Sequence, residues 1–527
     1  MRGASAATVT QMRQPVRFDE ERAIADSRRV RRTVFVIIAV ASLGRLALAA
    51  SLGLSTDESY TMAIARRLAL SYFDHPPLHL WLVGVWARLS GSEAAAVLRL
   101  PFVLLFAGST WLMYRLTDAA YGARAGLWAV AALNLAPLAT VGIASWILPD
   151  GPMVFFSLLA VVFVARALAD RSAQTSAALG AWIAAGAAAG LALLSKYLAI
   201  FPVLGVGLYL LTSRDRRVLA TPGPWLAALT ATTFLTPVLL WNAQHAWVSF
   251  AFQGGRALPV GFRPARAALD LAGELVYLLP WTALALLYVL ARAARRGPTE
   301  RWGWLFFCLA CGPIIFFAAA TLWTTVLPHW PAIGWVFGFP LLGAWLAQIE
   351  RTRPRLVRGC TIGTAGVLAL VITVAGTQAA TGWLDPLYPR LAHNDPTVDL
   401  VDWRTLRAQL AARNLLGPGA LIGAVSWIDA GKIDYALGGS VPVLCLSQDP
   451  RGFAYLRDLG KFAGRRVLVI ANARRVNWRT LAAPYFRRIE PVGEIEVRRG
   501  ARPVVRLQLA QGIGLTPLAR SRGSPQP

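Results

Sequence analysis

Long apolar runs separated by short arginine-rich segments dominate this chain. The first, Thr33 to Gly53, directly follows Arg28, Arg29, Arg31 and Arg32. At about 20 residues it is long enough to cross a bilayer, and longer than the apolar core of a cleavable signal peptide. Further runs are centred in 95–115, 125–145, 149–168, 176–194, 197–212, 225–241, 272–291, 303–325, 331–349 and 357–378. The pattern predicts eleven membrane helices.

The segment between the first two runs has a different texture. Thr56 to Ser71 mixes apolar and basic residues at helical spacing, and Leu78 to Leu89 is rich in Leu, Val and Trp but too short to span. Both read as helices lying in the membrane interface, with Tyr72, Trp81 and Trp86 at headgroup depth. Beyond residue 380 the long runs end. Short β-rich pieces, Ala420–Ser426, Val441–Leu446, Arg466–Ala471 and Val504–Leu509, alternate with helix-like stretches at Ile428–Leu437 and Gly452–Leu459. The expected organisation is a cytoplasmic tail (1–32), a multi-helix transmembrane region (33–380), a small periplasmic α/β domain (381–515) and a disordered tail (516–527).

Composition agrees with the pattern. The 527 residues are 56% hydrophobic and 15% charged, with a mean hydropathy of +0.50, which excludes an ordinary soluble protein. A net charge of +26 suggests nucleic acid in a soluble chain, but here the arginines fall in loops and act as topology signals. Arg115 and Arg124, Arg214 to Arg217, Arg292 to Arg301 and Arg351 to Arg358 all fall in loops assigned to the cytoplasm. That parity puts the 54–94 loop, Pro149-Asp150, the 242–270 loop, the Trp323–Pro331 turn and the C-terminal region on the opposite face. Four cysteines, with Cys308 and Cys311 inside an apolar run, imply no disulfide framework, and their CxxC spacing reads as helix packing. Ionisable residues cluster at the ends of the runs rather than within them, which favours chemistry at the membrane surface over transport through its centre.

In order along the outer face stand Asp57-Glu58-Ser59-Tyr60, Tyr72-Phe73-Asp74-His75-Pro76-Pro77, Arg99-Leu100-Pro101, Pro149-Asp150, Ser195-Lys196-Tyr197, Pro237 to Trp247 and His329-Trp330-Pro331. This series resembles the bacterial membrane glycosyltransferases related to lipid A aminoarabinose transferase and, more distantly, the protein O-mannosyltransferases. The resemblance covers roughly residues 33–380, with a weaker echo at Asp395-Pro396-Thr397. It implies a glycosyltransferase C-type fold that transfers sugar from a polyprenyl-phosphate donor at the periplasmic face of the inner membrane. The implied acceptor is an envelope glycolipid such as lipid A or lipopolysaccharide. A protein O-glycosyltransferase, a polyprenyl-linked glycan transporter and a non-catalytic membrane assembly protein are the alternatives.

Such a transfer needs a group to take the acceptor hydroxyl proton and cations to stabilise the departing phosphate. Asp57 is the candidate base, with Glu58 tuning it and Asp74 positioning donor, acceptor or metal. Capping of an interfacial helix is the structural alternative for the first pair. His75, Lys196 and Arg256 are the donor or phosphate candidates, with Arg263 a second choice; a lysine is expected in the family where His75 stands. Asp150, His245 and His329 are supporting candidates. A divalent metal is possible, but the spacing of histidines and acids carries no ligand signature.

Overall fold

The computed structural model describes residues 14–170, 175–256, 258–259, 261–388, 395–474 and 477–516. The anticipated disordered tail from 517 onward and the first 13 residues lie outside this set.

Among the described residues sixteen α-helices precede the C-terminal region: α1 (Gln14–Ser51), α2 (Thr56–Ala65), α3 (Leu78–Ser90), α4 (Ala95–Tyr121), α5 (Ala123–Leu135), α6 (Asp150–Ala169), α7 (Ser176–Ser195), α8 (Ile200–Thr212), α9 (Pro222–Phe234), α10 (Thr236–Gln244), α11 (Val248–Gly255), α12 (Pro264–Leu278), α13 (Pro280–Arg296), α14 (Arg301–Ala320), α15 (Ala332–Thr352) and α16 (Pro354–Thr381). Among the described residues seven helices are long and apolar enough to cross a membrane, or up to ten if each of three bent pairs is one span. The chain is a multi-pass membrane protein.

The expected eleven spans are corrected chiefly by proline. The 125–145 run ends after the 13 residues of α5, because Pro137 drives Ala136 into an extended conformation. A π turn at Ala139–Ile143 follows. The 272–291 run straddles Leu279-Pro280, where α12 and α13 meet at 97° and Leu279 takes φ +65°. The 225–241 run bends by 41° before Pro237, and α8 turns by 105° into the short helix Arg214–Ala220. At the other extreme, α1 begins at Gln14, well before Thr33. Many apolar side chains of α1, such as Phe35, Val40 and Leu43, stay exposed, as a lipid-facing helix requires.

Both short helices exist, as α2 and α3, but the aromatic residues expected at headgroup depth are engaged within the protein. Tyr72 is buried, and the indole N–H groups of Trp81 and Trp86 donate to the carbonyls of Ala69 and Val97, each at 2.8 Å.

The C-terminal region carries a five-stranded sheet: β1 (Ile422–Ala424), β2 (Val443–Cys445), β3 (Val467–Asn472), β4 (Phe486–Arg499) and β5 (Arg502–Leu515), in the order β2-β1-β3-β5-β4. The first three are parallel, and β5 runs antiparallel to β3 and β4. Sequence reading missed β4, because its first half carries exposed Arg487, Arg488 and Glu494 around Pro491 and Gly493 instead of an apolar alternation. One hydrophobic core is shared by α2, α3, the start of α4, the sheet and the helix Trp427–Ala436. The contact is close: a Cβ on Gly431 would lie 2.9 Å from both the backbone N and Cα of Tyr60. Absence of a side chain there lets that helix lie directly on α2.

Candidate active site

A buried clamp fixes the start of α2. Ser55 caps the helix, with its Oγ accepting from the Glu58 N–H at 3.3 Å while Glu58 Oε2 accepts from the Ser55 N–H at 2.8 Å. Arg99 of α4 then donates to both Glu58 oxygens at 2.7 Å, and to the carbonyls of Ala49, Leu52 and Gly53 at the C-terminal end of α1. Every guanidinium N–H has an acceptor. Glu58 Oε1 also accepts from the Ile147 N–H at 3.1 Å. Burial opposes ionisation of Glu58, but Arg99 outweighs it and holds the carboxyl below the usual glutamate range. Glu58 was expected among the catalytic groups. Its fully buried and fully bonded carboxylate corrects this, because no oxygen is left to meet a substrate.

Asp57, one residue earlier, is different. Its side chain is exposed, and among the described residues no hydrogen bond occupies its carboxylate. The capping role goes to other groups: Ser55, and Asp399, whose carboxylate accepts from the Thr56 N–H at 3.0 and 3.2 Å. Desolvation by the surrounding protein raises the Asp57 carboxyl above the usual aspartate range, Asp399 adds to the rise, and Arg451 opposes it. Asp74 is buried nearby, hydrogen-bonded to the Tyr60 hydroxyl and close to Arg451 and Arg256; burial raises its carboxyl too. Gln253 holds the Asp74 carbonyl from the opposite side, at 2.5 Å.

The second pole of the site is Lys196. It is paired: both Asp150 oxygens accept from Nζ, at 2.8 and 2.9 Å. Asp150, expected to orient sugar or support Asp57, therefore serves Lys196. Lys196 is placed here because α7 ends at Ser195 and the chain becomes extended at φ −156°. His75 and His329 lie within electrostatic reach of this pair. Desolvation, reinforced by Lys196 and Arg256, lowers His75 to about 3, and desolvation lowers His329 to about 4. Both are neutral at pH 7. His75 thus brings a hydrogen-bonding ring to the site, not the positive charge a lysine supplies.

Arg256 stands over the Trp330 ring at 4.7 Å, which gives that indole a local partner besides the membrane. Arg263 and Arg266 are not at the site; Arg263 donates to Thr325 and Arg266 pairs with Asp270. His245 stacks on Trp241 at 4.1 Å, with Nδ1 2.7 Å from the Trp241 carbonyl, and meets Tyr455 edge-on. It belongs to an aromatic wall that includes Phe73 and Phe252. Among the described residues no group of three or more His, Cys, Asp or Glu side chains converges to hold a metal.

Sequence reading missed the contributions from the C-terminal region. Arg451, which lies near Asp57 and Asp74, sits in a turn after β2, and its only sequence cue is the turn-like run Asp449-Pro450-Arg451-Gly452. The Gly452 N–H donates to the Tyr60 hydroxyl at 2.9 Å. Lys432 is buried beside α2, where its Nζ donates to the carbonyls of Leu54 (2.5 Å) and Asp399.

The chain as a whole is similar to known proteins. Residues 74–241 match the family model described as dolichyl-phosphate-mannose-protein mannosyltransferase. The lipid A galacturonosyltransferase RgtD of Rhizobium johnstonii is 28% identical over 192 residues, which are 36% of this chain and 38% of that protein. Less than half of that relative's length is matched. Two crystal structures of ArnT from Cupriavidus metallidurans superpose over 90% of this chain and 97% of theirs: the apo state (TM-score 0.63, 19% identity) and the form bound to undecaprenyl phosphate (TM-score 0.64, 18% identity). The chain therefore has the glycosyltransferase C-type membrane fold of the ArnT structures, and the resemblance read from its motifs is borne out by these likenesses.

Proposed function

We propose that this protein transfers a sugar from a polyprenyl-phosphate donor to a hydroxyl of an envelope glycolipid of the lipid A or lipopolysaccharide class, at the periplasmic face of the bacterial inner membrane. The observation that carries the reading is Asp57: an accessible carboxylate, without a hydrogen bond among the described residues, within electrostatic reach of Arg451 and close after the end of α1. The acceptor oxygen attacks the anomeric carbon, its proton passes to Asp57, and the anomeric carbon–oxygen bond breaks with its electron pair leaving on the lipid phosphate. A raised carboxyl pKa makes Asp57 a better base than an ordinary aspartate.

Two likenesses support the substrate classes. One ArnT structure holds undecaprenyl phosphate, and RgtD is named for galacturonosyl transfer to lipid A. A lipid acceptor is favoured over a protein because the lipid A relative matches in sequence and the ArnT structures match over nearly their whole length. Asp57, Asp74, Arg256 and Lys196 are the residues assigned to the chemistry and the donor, with Glu58, Arg99 and Asp150 positioning them. The test is mass spectrometry of lipid A and other envelope lipids from deletion and complemented strains. A missing sugar on one glycolipid, restored by the gene, is the expected result; an unchanged lipid profile with an altered secreted glycoprotein would overturn the acceptor class.

A further inference from the structure

Lys196, Arg256 and Arg451 lie within electrostatic reach of the site's acids and His75, and they are not equivalent. Lys196 is already neutralised by both oxygens of Asp150. Arg256 has no ion pair among the described residues, and Arg451 has only a single 3.4 Å contact with one oxygen of the half-exposed Asp449. The two guanidinium groups flank one ring: their central carbons lie 5.8 and 5.7 Å from the Phe252 centroid. Each is also packed on an indole, Arg256 on Trp330 at 4.7 Å and Arg451 on Trp427 at 3.8 Å. Stacking holds the flat face of a guanidinium and leaves its in-plane N–H groups for an acceptor. Two like charges brought together this way repel; Asp74 and Asp57 lie within electrostatic reach and offset part of this, and a bound anion would offset it further.

The backbone at Arg451 adds a second, independent sign. This bulky residue takes φ +44°, in the left-handed region that favours glycine. Such strain persists where the surroundings enforce it. Here the next residue, Gly452, is bonded to the Tyr60 hydroxyl, which in turn meets Asp74. The turn is thus locked to the same helix that carries Asp57.

We infer that Arg256 and Arg451 together clasp one oxyanion of the donor, so that Arg451 is a substrate-binding residue supplied to the membrane site by the C-terminal sheet region. The inference rests on the proposed lipid-phosphate sugar donor. The oxyanion is the lipid phosphate itself or, in a uronic acid donor, the sugar carboxylate; both present two anionic oxygens that can accept paired N–H bonds from a guanidinium.

The test uses the full chain in lipid nanodiscs, with Arg451→Gly and Arg451→Lys. Glycine relieves the left-handed backbone while deleting the cation, so Arg451→Gly is expected to unfold at the same temperature as wild type or higher. Binding of sugar-free undecaprenyl phosphate is measured directly, and KM for a hexose and a hexuronate polyprenyl-phosphate donor is measured against a fixed acceptor. A phosphate contact predicts that Arg451→Gly weakens undecaprenyl phosphate binding and raises both donor KM values at least about tenfold, with part restored in Arg451→Lys. A carboxylate contact predicts unchanged undecaprenyl phosphate binding and a rise confined to the hexuronate donor. Lipid-phosphate affinity and both KM values within twofold of wild type in a folded Arg451→Gly protein would overturn the inference. Should wild type bind undecaprenyl phosphate yet transfer no sugar, the binding arm still decides the role of Arg451, while the proposed function fails separately.

Discussion

Arg99 and Glu58 form a closed, fully buried ion pair in which each carboxylate oxygen receives a guanidinium N–H at 2.7 Å. The other donors of Arg99 cap the last carbonyls of α1. One side chain thereby joins the first membrane helix, the start of α2 and the body of α4, and Asp57 is held at the edge of that junction.

Breaking this pair from one side leaves an uncompensated buried charge. Arg99→Leu is therefore expected to cost about 3–5 kcal/mol of stability, read as a large fall in unfolding temperature in detergent. Glu58→Gln should destabilise as well. Its effect on pH dependence has a definite sign: the lowered Glu58 pKa stabilises the fold above the ordinary glutamate pKa, and that contribution fades as pH falls through the lowered native value. Wild type should lose stability through this acidic window more steeply than Glu58→Gln.

Lys196 and Asp150 should behave as a unit. Lys196→Met or Asp150→Leu alone leaves its partner buried and charged, whereas the double variant removes both charges. A double-mutant cycle on unfolding temperature and donor KM should show strong non-additivity, with the double variant no worse than the poorer single one. Additive effects would mean that Lys196 meets the donor independently of Asp150.

The contact between the C-terminal region and α2 gives another test. Gly431→Ala places a Cβ about 3 Å from the Tyr60 backbone, which must shift; overpacking of this kind costs about 1–3 kcal/mol. Because Tyr60 lies on the helix of Asp57 and bonds Asp74, turnover should fall more than an equally destabilising change remote from α2. Thermal unfolding and turnover measured on the same preparations separate the two.

Much of this was legible in the chain. Apolar length marked most of the membrane helices, and acids beside their ends marked the segments where Asp57, Asp74 and Asp150 lie. Three things were not. Prolines at 137, 237 and 280 broke runs that hydropathy alone joins, because a window average does not register one missing N–H. Glu58 could not be told from Asp57, since adjacent helical residues point in different directions and only the presence of Arg99, 41 residues on, decides which is buried. Arg451 was invisible as a site residue, because its meeting with Asp57 depends on a fold that returns the C-terminal sheet region to α2. Local periodicity carries no information about a contact that distant in sequence.

The most direct measurement is turnover of purified Asp57→Asn in nanodiscs with a polyprenyl-phosphate sugar and a lipid A acceptor, followed across pH. The account predicts an intact fold and a loss of at least about a hundredfold, as expected for removal of a general base. In wild type, activity should fall as acid protonates Asp57, with a midpoint above the ordinary aspartate pKa because its carboxyl is raised, and this limb should be missing from any residual activity of Asp57→Asn. Near-normal turnover by the variant, with the acidic limb retained, would contradict the central claim that Asp57 takes the acceptor proton.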